Sequence, residues 1–274
     1  MSVSKFLHLL PLIATSPIEF VDRIATKLEY LTDRKKRFDG ENYTAHDWND
    51  VLLELNRLLG KDIRSILSEP GLTEIEAGVR DQIDAKLPKA PFTLAHCSDF
   101  VLARMCYALV RAVQPTTVLE TGVAFGVTSA FILKALEINQ KGTLHSVDLP
   151  PLGRNADDFV GILIPARLRH RWELHRGATR RVLPQVLPTL GPVEIFVHDS
   201  LHTYSTMIFE FRAVSRHFAQ GGILVSDDIQ DNAAFHEWVE KAQPAFSAAI
   251  REPEKGSLFG LAVQPNHQTC QANY

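Results

Sequence analysis

The chain has 274 residues, 45% of them hydrophobic, with 29 Lys and Arg against 32 Asp and Glu and a formal charge of −3. That length allows one large domain or a core with an appendage, and the near-neutral balance gives no global pull toward nucleic acid or anionic membrane. Three scattered cysteines (Cys97, Cys106, Cys270) make neither a disulfide framework nor a zinc site, so a reduced compartment is expected.

Residues 6–14 are apolar after Lys5, but His8 and Pro11 interrupt them, so no secretory signal is expected. No apolar run approaches the ~20 residues of a membrane span, and the expected location is the cytoplasm. Up to residue 90 apolar residues recur at helical spacing. The first series is Ile18, Val21, Ile24, Leu28 and Leu31. The second is Leu52, Leu55, Leu59, Ile63 and Ile66, and the third Ile75, Val79, Ile83 and Leu87. The second stops at Glu69-Pro70-Gly71, and Thr73 with Glu76 gives the third a capping-box start. The run Arg34-Lys35-Lys36-Arg37 follows the first helix and suits the negative end of its dipole. Residues 1–90 thus read as a helical cap or oligomerisation region, a place where copies of the chain would meet, and residues 91–274 as a second unit.

Beyond Pro91 the pattern alternates. A helix over 100–113 precedes a strand at 117–120, a helix at 129–136 and a strand at 143–147. A strand at 172–175 and a helix at 182–187 follow, then a strand at 193–197 and a helix over 206–218. The chain continues with a strand at 223–226 and a helix at 235–242. Segments 246–251 and 258–263 close as an antiparallel pair around Glu254-Lys255-Gly256. Short apolar strands joined by helices predict an α/β fold: a Rossmann-like doubly wound sheet, mostly parallel, with an antiparallel final strand. Ligands should sit at the carboxyl ends of its strands.

The first strand runs into Val118-Leu119-Glu120-Thr121-Gly122-Val123-Ala124-Phe125-Gly126-Val127-Thr128-Ser129. An acid, two glycines four apart and two hydroxyls at a helix start suit close backbone approach to a nucleoside-like ligand with an ammonium end. The Gly122-x-x-x-Gly126 spacing is not that of a pyrophosphate turn. The segment resembles the first motif of class I S-adenosylmethionine-dependent methyltransferases. Asp148 ends the second strand, where a carboxylate accepts both ribose hydroxyls. Gly177-Ala178-Thr179 ends the third, where an adenine would pack. Glu120, Gly122, Gly126, Thr128, Ser129, Asp148, Ala178 and Asp199 are the expected cofactor contacts.

The fourth strand ends in His198-Asp199-Ser200-Leu201-His202 and the fifth in Asp227-Asp228. Neighbouring strands lie about 4.8 Å apart, so three carboxylates would crowd one rim and repel unless protons, an arginine or a divalent cation offset them. Oxygen donors suit Mg²⁺. His202 would reach the rim with a pKa fit to take a proton, whereas His198 sits within the strand and should face away from Asp199. Asp-x-x-His followed 28 positions later by two acids resembles the small metal-dependent O-methyltransferases, in particular the branch acting on sugar hydroxyls of macrolide and aminocoumarin antibiotics. That resemblance implies Asp199, Asp227 and Asp228 as metal ligands, Asp199 and His202 as catalytic residues with His202 the base, and S-adenosylmethionine with Mg²⁺ as cofactors. It also implies a small-molecule substrate such as a sugar or diol.

Four readings compete: a metal-independent N- or O-methyltransferase, a nicotinamide oxidoreductase, a hydroxylase-like cousin sharing the fold, and an RNA-binding or RNA-modifying protein. The last rests on Arg167, Arg169, Arg171, Arg176, Arg180 and Arg181, which are expected on solvated surface or paired with acids. Ser98 is expected to cap the helix that follows it.

Overall fold

The computed structural model describes residues 9, 11–33, 43–90, 92, 99–153 and 155–266. Arg34 to Arg37, Cys97, Ser98, Cys270 and the start of the 6–14 stretch lie outside them. Among the described residues α1 (Pro17–Asp33), α2 (Trp48–Leu59), α3 (Ile63–Leu67), α4 (Pro70–Lys86) and α5 (Phe100–Val113) precede the sheet. Then come β1 (Thr117–Thr121), α6 (Val127–Asn139), β2 (Thr143–Asp148), β3 (Trp172–Arg176), α7 (Thr179–Leu190) and β4 (Val193–His198). After these lie α8 (Tyr204–Ser215), β5 (Phe218–Ser226), α9 (Ala234–Ala242), β6 (Phe246–Arg251) and β7 (Leu258–Val263). Among the described residues no helix is long and apolar enough to cross a membrane.

The strands form one seven-stranded sheet in the order β3-β2-β1-β4-β5-β7-β6. β1 to β5 pair in parallel, and β7 runs antiparallel to both β5 and β6. All five residues of β1 are buried, as a strand covered on both faces requires. One face is packed by α5 and α6, and beyond them by Val51, Leu55, Ile63, Ile75 and Val79 of α2, α3 and α4. The other is packed by Leu183 of α7, Phe211 of α8 and Trp238 of α9. Helices α2 to α4 therefore share a core with the sheet.

Three expectations are corrected. The predicted helix spanning 52–66 breaks at Gly60, whose left-handed backbone (φ +62°) ends α2, and Asp62 caps α3 afresh. The capping box of Thr73 and Glu76 is not used: the N-cap of α4 is Glu69, four residues earlier, because Pro70 suits its first turn. Glu76 instead takes Arg104 and Arg80. The helix predicted to reach 218 stops at Ser215, and Phe218 opens β5, with an irregular register before Ile223.

Helix α1 is built the other way round from its neighbours. Val21 is 63% exposed and Leu28 58%, with Ile18, Ile24 and Leu31 also exposed, while Glu19 and Asp22 are buried. Its acids face the protein because arginines wait there. Glu19 pairs with Arg176, Asp22 with Arg181 and Glu29 with Arg180, at 2.6–2.8 Å. Asp33 accepts the Tyr204 and Ser205 backbone N–H groups at the start of α8.

Candidate active site

The carboxyl rim of the sheet forms where the ladder continues past the strands. Gly122 N–H donates to Val147 O, Asp199 N–H to Thr121 O and Asp227 N–H to His198 O, each at 2.8–2.9 Å. Gly122 has φ +83°, and a Cβ there would lie 1.9 Å from the Asp199 carbonyl, so only glycine lets the β1 turn meet the end of β4.

Beside this junction lies a cavity of about 420 Å³, within the range of small-molecule sites. Gly122, Asp148, Gly177, Ala178 and Asp199 line it from the sheet, and Asp22, Thr26 and Glu29 from α1. The Oδ2 atom of Asp148 is buried with no partner. Burial, then the charge of Asp157, pushes the Asp148 carboxyl up to about 7. An orphaned acceptor facing a cavity fits a ligand bearing hydroxyls. A nucleoside ribose is such a ligand.

The remaining predicted cofactor contacts sit lower. Glu120 is 1% exposed and accepts from the Ser129 and Ser146 hydroxyls, 2.7 Å each. Burial raises its pKa to about 7. It faces α6 because it shares a strand face with Val118, and so it lies beneath the turn, not along the cavity wall. Thr128 and Ser129 are buried in the first turn of α6, and Gly126 (φ +86°) is its N-cap. These residues shape the turn from behind.

The β4–β5 end of the rim is dense with charge. Ligand atoms of Asp199, His202 and Asp227 lie within 4.8 Å of one another, as do those of Asp227, Asp228 and Glu252. His202 Nδ1 is 3.2 Å from Asp228 Oδ2, and His202 Nε2 is 3.8 Å from Asp199 Oδ1. Asp228 adopts φ +47° and makes no capping bond, so its carboxylate serves His202, not a helix. Burial opposes a charge on His202, yet the hydrogen bond its Nδ1–H donates to Asp228 and the charges of Asp227 and Asp228 raise its pKa. Burial likewise opposes ionisation of Asp228, and His202 outweighs it, holding that carboxyl well below its ordinary range. His202 Nε2 and Asp227 Oδ1 are both buried without partners.

Two members of this cluster had no signal in the strand ends. Lys255 Nζ lies 2.8 Å from Asp227 Oδ2, 3.6 Å from Asp228 Oδ1 and 3.9 Å from Glu252 Oε2. Burial and then the Asp227 charge push the Glu252 carboxyl up to about 8. Both residues come from the β6–β7 turn, which the antiparallel pairing of β7 with β5 brings to the carboxyl rim. Four carboxylates thus face one ammonium and one imidazole, and burial with the Asp227 charge holds both Asp199 and Glu252 above the ordinary carboxylate range. Among the described residues the predicted set of Asp199, Asp227 and Asp228 does not close as one group: Asp227, with Oδ1 open, joins Asp199 and His202 on one side and Asp228 and Glu252 on the other, and either group offers hard oxygen donors of the kind a divalent cation takes. Lys255 already holds the other Asp227 oxygen.

His198 turns from the rim, as its strand position predicts. Its Nδ1 is 2.7 Å from Glu210 Oε2, and Glu210 also accepts from Thr121 and Ser200. Burial raises the Glu210 pKa, but His198 and the hydrogen bonds of Thr121 and Thr179 bring it below its ordinary value. Glu210 was missed by sequence reasoning; an acid between Phe209 and Phe211 in an apolar helix was its signal.

All six arginines of the RNA reading are engaged. Arg167 pairs with Glu74, and Arg176, Arg180 and Arg181 hold α1. Arg169 donates to Gly161 O and Arg171 to Gly142 O.

Residues 119–229 match a family model described as a methyltransferase domain. No curated protein matches the sequence. The fold is similar to an O-methyltransferase from Bacillus cereus in complex with S-adenosylhomocysteine, at a TM-score of 0.55 and 14% identity over 78% of this chain and 97% of that one. It is also similar to TomG, an O-methyltransferase from Streptomyces achromogenes involved in tomaymycin synthesis, in complex with S-adenosylmethionine. There the TM-score is 0.52 with 18% identity, over 80% of this chain and 97% of that one.

Proposed function

We propose that this chain is a class I S-adenosylmethionine-dependent methyltransferase that methylates a hydroxyl of a small molecule, with His202 as the base. The observation that carries the reading is the state of His202. Asp228 holds its Nδ1, while its Nε2 is buried, unpartnered and turned toward Asp199 at the edge of the cavity. With Nδ1 held by Asp228, the lone pair on Nε2 would be free to take a proton from a hydroxyl brought beside Asp199.

When bound, the cofactor supplies an electrophilic methyl group on a sulfonium. Asp148 would accept the ribose hydroxyls, and the backbone at Gly122 would pass close to the amino-acid end. Gly177 and Ala178 form the wall for the base, with Glu120, Gly126, Thr128 and Ser129 supporting the turn. A divalent cation held by Asp227 with Asp199 or with Asp228 would lower the pKa of a hydroxyl placed against it. His202 would accept the proton, and the Asp228 carboxylate would stabilise the imidazolium that forms.

A small natural-product hydroxyl suits the site better than a macromolecule, since α1 lines the cavity and leaves a modest volume. The outward apolar row of α1 supports the expected homo-oligomeric contact through the N-terminal helices.

The test is methyl transfer from S-adenosylmethionine to a panel of sugars, diols and phenols. His202→Ala is expected to lose at least about 100-fold in kcat while binding S-adenosylhomocysteine normally. Unchanged turnover would overturn the base assignment. Chelation should depress the wild-type rate and Mg²⁺ restore it; indifference to both would remove the cation and leave proximity with His202 alone.

A further inference from the structure

At the opposite edge of the sheet from the β6–β7 hairpin, three side chains converge that the methyl-transfer site does not use. β3 is the edge strand and pairs with β2 alone, in a register that sets His145 beside Glu173 and Val147 beside His175. Residues two apart on a strand share a face, so His145, Glu173 and His175 all project to the α7 side. His145 Nδ1 lies 3.3 Å from Glu173 Oε2 and 3.4 Å from His175 Nε2. The third separation closes the triangle within 4.8 Å.

Those distances have a meaning. A tetrahedral ion with ligands at about 2.0–2.1 Å has ligand atoms about 3.3–3.4 Å apart along each edge. Two of the three edges already have that length. The donor set is two imidazoles and one carboxylate, which suits borderline ions such as Zn²⁺ and not the all-oxygen preference of Mg²⁺. Burial, with a smaller push from His175, keeps His145 below its ordinary pKa against the pull of Glu173. The His145 side chain is 13% exposed and that of Glu173 60%, so the cluster has a sheltered floor and an open mouth for a water as fourth ligand.

We propose that His145, Glu173 and His175 form a Zn²⁺ site at the sheet edge, separate from the carboxylate rim. Such an ion would cross-link the edge strand to β2. Asp148 lies three residues beyond His145, and Gly177 two beyond His175, so the tie would hold two walls of the cofactor cavity in register.

The experiment uses the full chain without an affinity tag, stripped of metal and kept in excess Mg²⁺ so that the oxygen-rich rim is satisfied. Zn²⁺ is added in a calorimeter, and Co²⁺ is followed by visible absorption, whose intensity distinguishes tetrahedral from octahedral ions. The wild type is expected to take one equivalent of Zn²⁺ with a micromolar or tighter Kd and to give a strong tetrahedral Co²⁺ spectrum. His145→Gln and His175→Gln should each weaken binding at least 30-fold and lose that spectrum. Glu173→Gln, at an exposed position, serves where a histidine variant fails to fold, and should weaken binding at least fivefold. No Zn²⁺ uptake by the wild type overturns the proposal, as does wild-type affinity in folded variants.

Discussion

The two ends of the carboxyl rim differ in how their polar groups are satisfied. Around β1 and β2 charge is sparse, and the informative atom is one unpartnered acceptor, Asp148 Oδ2, in the wall of a cavity. Around β4 and β5 four acids, a lysine and a histidine compensate one another, and two atoms are left over. A binding surface offers acceptors that a ligand completes; a reacting surface crowds charges whose balance a proton or cation can tip. Separable effects of mutation follow from that difference.

The largest effect is expected at the crowded end. Asp228→Asn removes the carboxylate that orients His202, and kcat should fall about 10- to 100-fold with the Kd for S-adenosylhomocysteine unchanged. A parallel loss of cofactor affinity would mean that the two ends do not act separately. At the sparse end Asp148→Asn should weaken S-adenosylhomocysteine by about tenfold or more in a calorimetric titration. The wild-type affinity should rise with pH through about 7, because only the ionised Asp148 carboxylate accepts both hydroxyls; in Asp148→Asn that rise should be lost.

The smallest effect belongs to Glu120, beneath the turn. Its pKa is raised in the folded chain to about 7 from an ordinary 4.5, so the unfolded chain ionises first as pH rises. Its contribution to stability is then present below the ordinary value and is lost between pH 4.5 and about 7. Glu120→Gln keeps acceptors for Ser129 and Ser146 and removes that loss. The ligand-free variant should melt a few degrees above the wild type at pH 8 and match it at pH 5. A constant offset across that range would place the effect in packing instead.

The sparse end was the more legible of the two in the sequence. Gly122, Asp148 and Ala178 stand at strand ends, and strands buried on both faces announce themselves as short apolar runs. Helix and strand bounds for α5, β6 and β7 agree with the structure to the residue for the same reason. Glu120 was placed on the right strand but on the wrong side of the turn, since the direction of its side chain depends on which helix covers that face. The crowded end was legible for Asp199, His202, Asp227 and Asp228. It hid Glu252 and Lys255, which sit in a hairpin turn whose position is a matter of tertiary pairing. Helix α1 concealed most. Periodicity marks its apolar stripe, but the three arginines that reverse its orientation are about 150 residues away.

That reversal has a consequence for how the cavity is sealed. Helices α2 to α4 adhere mainly through a buried apolar core, braced at α4 by Glu76–Arg104 and Glu74–Lys134 pairs, and added salt leaves that core intact or strengthens it. The seam under α1 is ionic, and dissolved ions compete with it. Release of bound S-adenosylhomocysteine, followed by stopped flow, should quicken as ionic strength rises, while the outward apolar stripe of α1 grows more prone to self-association. One helix would then set both the dwell time of the ligand and the company the chain keeps, through a single variable of the medium.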